Sequence, residues 1–150
     1  MTAFVDSSAL VKLYVPEAGH EVVSALGVSL VVSHLARVEV PAAFWRKQRT
    51  GEVSAEDAAV LAAGFEADFF GDDGERPRFV VVAITNDVVD SAARLAARHG
   101  LRAYDAVQLA SASAARRADN RVSTLAAFDR TLRAAAAAEG FTLAPPTLEV

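Results

Sequence analysis

Ala3-Phe4-Val5-Asp6, running directly into Ser7-Ser8-Ala9-Leu10-Val11-Lys12-Leu13-Tyr14, sets a short apolar run against a block whose apolar residues fall at helical spacing. It reads as a buried strand, an acidic junction and a helix. Pro16 interrupts that helix, which resumes over His20 to Leu26. The pattern then recurs. Leu30-Val31-Val32-Ser33 is a second strand, and Leu35 to Arg49 an amphipathic helix that Pro41 should bend or restart. Ser54 caps a helix reaching about Phe70, and Gly71-Asp72-Asp73-Gly74-Glu75-Arg76-Pro77 is a loop. Phe79-Val80-Val81-Val82 is the third strand, and Thr85-Asn86-Asp87 opens a helix ending at His99-Gly100. Leu101-Arg102-Ala103-Tyr104-Asp105 leads into a helix through Arg117. Val122-Ser123-Thr124-Leu125 is the fourth strand, Asp129 to Glu139 a helix, and Phe141-Thr142-Leu143 a short fifth strand. Such alternation predicts an α/β fold, a parallel sheet with helices on both faces. No repeat or linker divides residues 1–150, so a single domain is expected.

Bulk properties narrow the function. The 150 residues are 53% apolar and 23% charged, a globular composition. No apolar stretch approaches the roughly 20 residues that span a bilayer, and the first residues lack a signal peptide's basic segment, so no membrane association and a cytoplasmic location are expected. Without cysteine there are no disulfides, thiolate metal sites or Cys nucleophiles. A net charge of −4, from 15 basic and 19 acidic residues, argues against a generic polyanion binder. It leaves room for a nuclease, because a bound divalent cation reverses the local field.

Four acids occupy junctions: Asp6, Glu39, Asp105 and Asp129, each where a short apolar segment gives way to helix. A parallel α/β sheet gathers such junctions at one edge, where ligands bind. Taken singly, Asp6, Asp105 and Asp129 are equally explained as helix caps. Glu39 is not, because it lies within a helix between Val38 and Val40, where an unpaired charge is costly. Together, four carboxylates without cysteine suit a hard divalent ion and lead to phosphodiester hydrolysis. Without a cation, close carboxylates should raise one another's pKa values.

The flanking residues carry a more specific signal. Phe4-Val5-Asp6-Ser7-Ser8-Ala9-Leu10, Ser33-His34-Leu35-Ala36-Arg37-Val38-Glu39-Val40, Leu101-Arg102-Ala103-Tyr104-Asp105-Ala106-Val107-Gln108-Leu109-Ala110 and Phe128-Asp129-Arg130 occur in this order across essentially the whole chain. In this they resemble the PIN-domain ribonucleases, specifically the VapC toxins of type II toxin–antitoxin systems. The resemblance implies a three-layer α/β/α PIN-like domain over residues 1–150, with a central parallel sheet of about five strands in the order 3-2-1-4-5. It implies an Mg²⁺- or Mn²⁺-dependent endoribonuclease, with Asp6, Glu39, Asp105 and Asp129 as its catalytic and metal-binding quartet. It also implies an RNA substrate, a small cognate antitoxin docking a helix near the active site, and a homodimer. Ser8 matches the small hydroxyl that often follows the first Asp by two positions. Many relatives carry Thr or Ser two residues before the last Asp, where this chain has Ala127; Ser123 or Thr124 is a candidate substitute.

Other residues divide between roles. Arg37 is a candidate for RNA or antitoxin contact; Arg46, Lys47 and Arg49 read first as a solvated helix face. Arg102 and Tyr104 flank Asp105 and are equally compatible with substrate contact and with packing. His34 is isolated and stays outside the site, while Phe44 and Trp45 read as core or interface. Asp87 and Asp90 read as a helix cap and a surface acid, and Asp72 and Asp73 as loop solvation. A receiver-type signalling domain would need adjacent acids after the first strand and a late Lys, and an Asp-nucleophile phosphohydrolase would need Asp where Ser8 stands. Neither fits. A catalytically silent PIN-like module, binding antitoxin or RNA without cleavage, is the alternative that Ala127 keeps open.

Overall fold

The computed structural model describes residues 2–27 and 29–149. In chain order its elements are β1 (Thr2–Val5), α1 (Ser7–Tyr14), α2 (His20–Ser24), β2 (Leu30–Ser33), α3 (Ala36–Arg49), α4 (Ala55–Phe70), β3 (Phe79–Val82), α5 (Asn86–His99), α6 (Ala103–Ala118), β4 (Val122–Ala126), α7 (Arg130–Ala138) and β5 (Thr142–Ala144). The five strands lie in the order β3-β2-β1-β4-β5, with every neighbouring pair parallel.

Alternation along the central strands builds the layers. Ala3 and Val5 of β1, with Leu30 and Val32 of β2, enter the core shared with Leu10 of α1, Phe44 of α3 and Phe65 and Phe69 of α4. Phe4 and Val31 point the other way, onto Leu95 of α5, Leu109 of α6 and Leu132 of α7. Successive strand side chains face opposite sides, so a sheet covered on both faces needs continuous apolar strands. The result is the expected three-layer α/β/α fold.

The strands stop at one edge, where the backbone ladder carries the chain slightly beyond them. The Asp6 N–H donates to the Ala126 carbonyl at 3.1 Å, His34 N–H to Val82 at 2.9 Å and Ala127 N–H to Ala144 at 3.1 Å. These bonds fix the segments that lead from β1, β2 and β4 into α1, α3 and α7. Arg133 of α7 fastens the same edge. Its Nη1 donates to the Ala127 carbonyl at 2.9 Å, and its Nη2 to the carbonyls of Pro145 at 2.7 Å and Pro146 at 3.3 Å.

One expectation changes, and two segments left open gain a definite shape. Pro41 does not break α3, which runs from Ala36 to Arg49 with the proline inside it. Its missing N–H falls in the second turn, just after a first turn already tightened by bonds from Arg37 to His34 and from Val38 to Leu35. The segment before Asp105 is a short turn: Gly100 closes α5 in the left-handed region (φ 65°), and after Leu101 and Arg102 α6 begins at Ala103. The acidic loop after α4 is a self-bonded turn, with Glu75 N–H donating to Asp72 O at 2.7 Å. Gly71 is required there, since at φ 83° a Cβ would stand 2.7 Å from the Glu75 carbonyl oxygen.

Candidate active site

Four helices begin near the carboxyl edge of the sheet, and each brings one predicted acid. Asp6 is the N-cap of α1, its Oδ1 accepting from Ala9 N–H at 2.8 Å. Asp129 caps α7 in the same way, accepting from Leu132 N–H at 2.9 Å. Glu39 and Asp105 lie in the first turns of α3 and α6. Each carboxylate therefore meets the positive end of a helix dipole, which offsets part of the repulsion among them.

This placement revises the reasons given for individual residues. Asp105 is not a cap: the cap position of α6 is Arg102, with no side-chain bond, so the Asp105 carboxylate is not spent on its own helix. Glu39 is not singled out by apolar neighbours, because α3 turns Val38 outward, 67% exposed, and only Val40 inward. What distinguishes Glu39 is a partner that sequence reasoning missed. Gln108, 2% exposed, donates through Nε2 to Glu39 Oε1 at 2.9 Å and to Ser7 Oγ at 2.7 Å. One amide thus links α1, α3 and α6 beneath the carboxylates. The price is a bare carbonyl, since Gln108 Oε1 is buried without a partner. Such a group costs about 1–3 kcal/mol, so the amide is held there by the two acceptors it serves. The available signal was a Gln three residues after Asp105, between Val107 and Leu109, on a helix that is otherwise small and apolar.

The acids act on one another electrostatically. Burial raises the Asp6 carboxyl to about 7; the Ala9 N–H bond opposes this, while Asp105, Glu39 and Asp129 add to it in that order. Asp105 is also raised, by burial and then by Asp129, with Arg102 acting against both. Arg102 stands over the pair: its Nη2 is 3.4 Å from Asp105 Oδ2 and 3.7 Å from Asp129 Oδ2. A guanidinium nitrogen occupying the gap between two carboxylates marks a position where positive charge is favoured.

Beside the acids lies a hollow of about 340 Å³, lined by Glu39 and Arg46 of α3, Tyr104 and Asp105 of α6, Arg102, and Ser8 of α1. A larger hollow of about 590 Å³ lies between Lys12, Val22 and the C-terminal residues Pro145 to Glu149, but none of the four acids lines it. We place the site in the smaller one because charge and geometry converge there.

The donor set fits a hard cation that keeps part of its water shell. It consists of carboxylate oxygens, two of them on Asp6 and Asp129 already committed to capping bonds. Among the described residues no three Asp, Glu or His side chains form a ready-made metal cage. Mg²⁺ retains several waters and takes one or two carboxylates directly, so an open set of single oxygens suits it better than a closed cage would.

The remaining predicted residues separate cleanly. Ser8 is exposed on the wall of the hollow, whereas its neighbour Ser7 is buried on Gln108. Arg37 pairs with Glu66 at 3.1 Å, and Lys47 with Glu17 at 2.7 Å and Glu52 at 3.2 Å. Arg102 and Tyr104 are exposed, so packing is not their role. His34 lies outside the hollow, stacked 6.2 Å from Phe69. Phe44 is core and Trp45 partly exposed. Thr85, not Asp87, caps α5, accepting from Val88 N–H at 3.2 Å. Ala127 is fully buried in the core beneath α6 and α7. Neither Ser123 nor Thr124 replaces a hydroxyl there, because both sit inside β4, short of its carboxyl end at Ala126.

Comparison with known proteins agrees with this arrangement. The family model described as PIN domain matches residues 3–138. Ribonuclease VapC45 of Mycobacterium tuberculosis is 36% identical over 149 residues, 97% of this chain and 96% of that protein. The crystal structure of FitAcB from Neisseria gonorrhoeae superposes with a TM-score of 0.62 at 18% identity, covering 91% of this chain and 94% of the other. A toxin–antitoxin complex from Klebsiella pneumoniae gives 0.53 at 16% identity, covering 85% and 87%. The two structures establish a shared fold, and the family match and the close relative together place the molecule: the chain belongs to the PIN-domain family, on its VapC branch.

Proposed function

We propose that the protein is an Mg²⁺- or Mn²⁺-dependent endoribonuclease and the toxin of a type II toxin–antitoxin pair. The observation that carries this reading is the convergence of Asp6, Glu39, Asp105 and Asp129 from four helix starts onto one sheet edge, in a chain whose close relative is named a ribonuclease.

Asp6 and Asp105 are the inner ligands in this reading, with Glu39 and Asp129 completing the set directly or through water. When bound, the divalent ion supplies an activated water and neutralises charge at the phosphate. The chain's own residues do the rest. Gln108 holds the Glu39 carboxylate in one orientation, and the capping bonds of Asp6 and Asp129 prevent those groups from turning away. Water's oxygen bonds to phosphorus, the bond to the leaving ribose oxygen breaks, and a proton passes to that oxygen. A small antitoxin is the expected partner, consistent with the likeness to a structure described as a toxin–antitoxin complex, and a homodimer the expected assembly.

Incubating purified protein with RNA and Mg²⁺ or Mn²⁺ tests the proposal. Cleavage should appear with either ion, vanish with chelator, and be absent from Asp6→Asn and Asp105→Asn. Cleavage undiminished in those two purified variants would sink the assignment.

A further inference from the structure

A concentration of the opposite charge lies well away from the carboxylates. A hollow of about 180 Å³ opens between α5 and α6, beside the end of α7. Its α5 wall carries Ser91, Arg94 and Arg98, spaced to share one helix face. Its α6 wall carries Ser113, Arg116 and Arg117, again a serine followed by arginines one turn on. Arg116 stands eleven residues after Asp105, roughly 16 Å along the axis. The hollow and the acidic cleft therefore occupy opposite ends of one helix.

Four guanidiniums here face one carboxylate, Glu139, an excess of three positive charges. Glu139 accepts from Arg98 at 3.0 Å and lies 3.7 Å from His99 Nε2, so it is engaged on one side of the hollow. Arg94, Arg116 and Arg117 have no carboxylate partner among the described residues. Nearby acids do not supply one: Asp119 is held by Arg121 at 2.8 Å, and Asp90, one turn before Arg94, forms no ion pair. Helix dipoles explain part of this cluster, because Arg98, Arg116 and Arg117 lie in the last turns of their helices. They do not explain Arg94, which stands mid-helix. Arg116 is already fixed in place, its Cζ stacked 3.9 Å over the Phe141 ring. Ser113 is 8% exposed, and its hydroxyl has no hydrogen-bond partner among the described residues although it borders the hollow. Uncompensated cations and an unused donor around one small space are unfavourable until an anion enters.

The donors also specify the anion. A carboxylate presents two coplanar oxygens, which a single guanidinium fork satisfies. Three unpaired guanidiniums and two hydroxyls, converging from two helices, suit a group whose oxygens point in several directions. A dianion also offsets most of the excess of three charges. We propose that Arg94, Arg116 and Arg117, with the hydroxyls of Ser91 and Ser113, form a phosphate-binding site for inorganic phosphate or the terminal phosphate of a mononucleotide. The site goes beyond the nuclease reading and does not depend on it, since none of these residues lines the acidic hollow.

The full chain is titrated calorimetrically with sodium phosphate, AMP and adenosine at about pH 8, where the phosphate group is a dianion. Ionic strength is constant, and a chelator keeps divalent ions from bridging phosphate to the carboxylates. Phosphate should bind saturably at one site, and adenosine should not bind. AMP binding at least as tightly as phosphate assigns the site to a nucleotide; weaker AMP binding assigns it to the free ion. Arg94→Gln and Arg116→Gln should each weaken phosphate by about 10–150-fold, the loss of a charge-assisted contact. Ser113→Ala should have a smaller effect in the same direction, and Arg76→Gln, in the loop after α4, none. Melting curves report folding and separate a site from the general stabilisation that phosphate gives by exclusion from protein surfaces. A rise that is linear in phosphate and equal in Arg94→Gln is that general effect, and it overturns the proposal. So does unchanged affinity in both arginine variants. Tighter binding of a 5′-hydroxyl oligonucleotide than of phosphate or AMP, lost in the same variants, overturns it in favour of a diffuse polyanion surface. RNA cleavage by Arg94→Gln with Mg²⁺ should match the parent, and its loss in the folded variant would refute the separation of the two sites.

Discussion

Among the described residues two charged side chains are buried, and they are treated in opposite ways. Arg133, 6% exposed, spreads its guanidinium over the carbonyls of Ala127, Pro145 and Pro146. Burial lowers its pKa, yet its charge is met by three acceptors and opposed by nothing nearby. Asp6, 3% exposed, has a single capping bond and three further carboxylates pressing on it. Buried charge that is satisfied is architecture. Buried charge left opposed is strain, which a partner of the other sign would relieve.

Breaking the Asp6 side of that contrast should have the largest effect. Asp6→Asn keeps a competent N-cap but removes the charge, so cleavage should be abolished, a fall of at least roughly 10²–10⁴-fold, while the circular dichroism spectrum is unchanged. The same residue should give the metal-free protein a pH slope. Its pKa is raised from 3.8 to about 7, so the native state binds more protons than the unfolded state between those values. The stability penalty is therefore absent below that window, grows as pH rises through it, and is complete above about pH 7, reaching at most about 4 kcal/mol. Melting temperatures without divalent ion should drop between about pH 4 and pH 7, and the drop should be smaller in Asp6→Asn. Saturating Mg²⁺ or Mn²⁺ should recover the loss at the upper pH; a profile identical in the variant would refute the placement of the strain.

The Arg133 side predicts the reverse pattern. Arg133→Met leaves three carbonyls without their donor and should lower stability by about 3 kcal/mol in chemical denaturation, with cleavage per folded molecule nearly intact. A variant that lost cleavage but not stability would show that the two regions are not separable in this way. Smaller still is Gln108→Leu, which frees Glu39 to reorient. Loss of such an orienting partner typically costs about 10–100-fold in activity or metal affinity. It should appear in kcat and in the Mg²⁺ requirement more than in KM for RNA.

Much of this was legible from the chain. The strands announced themselves because a sheet covered on both faces needs uninterrupted apolar runs, and Phe79 to Val82 or Leu30 to Ser33 leave little else to infer. The quartet was legible because each acid lies at the start of a helix. Its reasons were less so. Asp105 reads in sequence as a helix cap, but it lies inside the first turn of α6 and reaches the edge through the short turn from α5, with the cap position at Arg102. Glu39 reads as an interior charge until the helix start is fixed by Leu35 and Ala36. Gln108 and Arg133 were missed because their value is entirely tertiary. One needs Ser7 and Glu39 above it; the other needs the carbonyls of a segment a dozen residues away, and in an alanine-rich helix it resembles any solvated arginine.

The helix α6 holds a further consequence. Asp105 enters the cleft, Gln108 bonds Glu39 and Ser7, and Ser111 bonds Ser33 at 3.0 Å, each three residues after the last along one stripe of the helix. That stripe acts as a ruler laid across the strand ends. A single residue inserted between 105 and 108 would rotate everything beyond it by about 100°. Every carboxylate would remain in the sequence and the family signature would still be recognisable, but Gln108 and Ser111 would face the wrong way. Among relatives, the length of this segment should therefore be less free to vary than the identity of its exposed residues, because its information is angular rather than chemical.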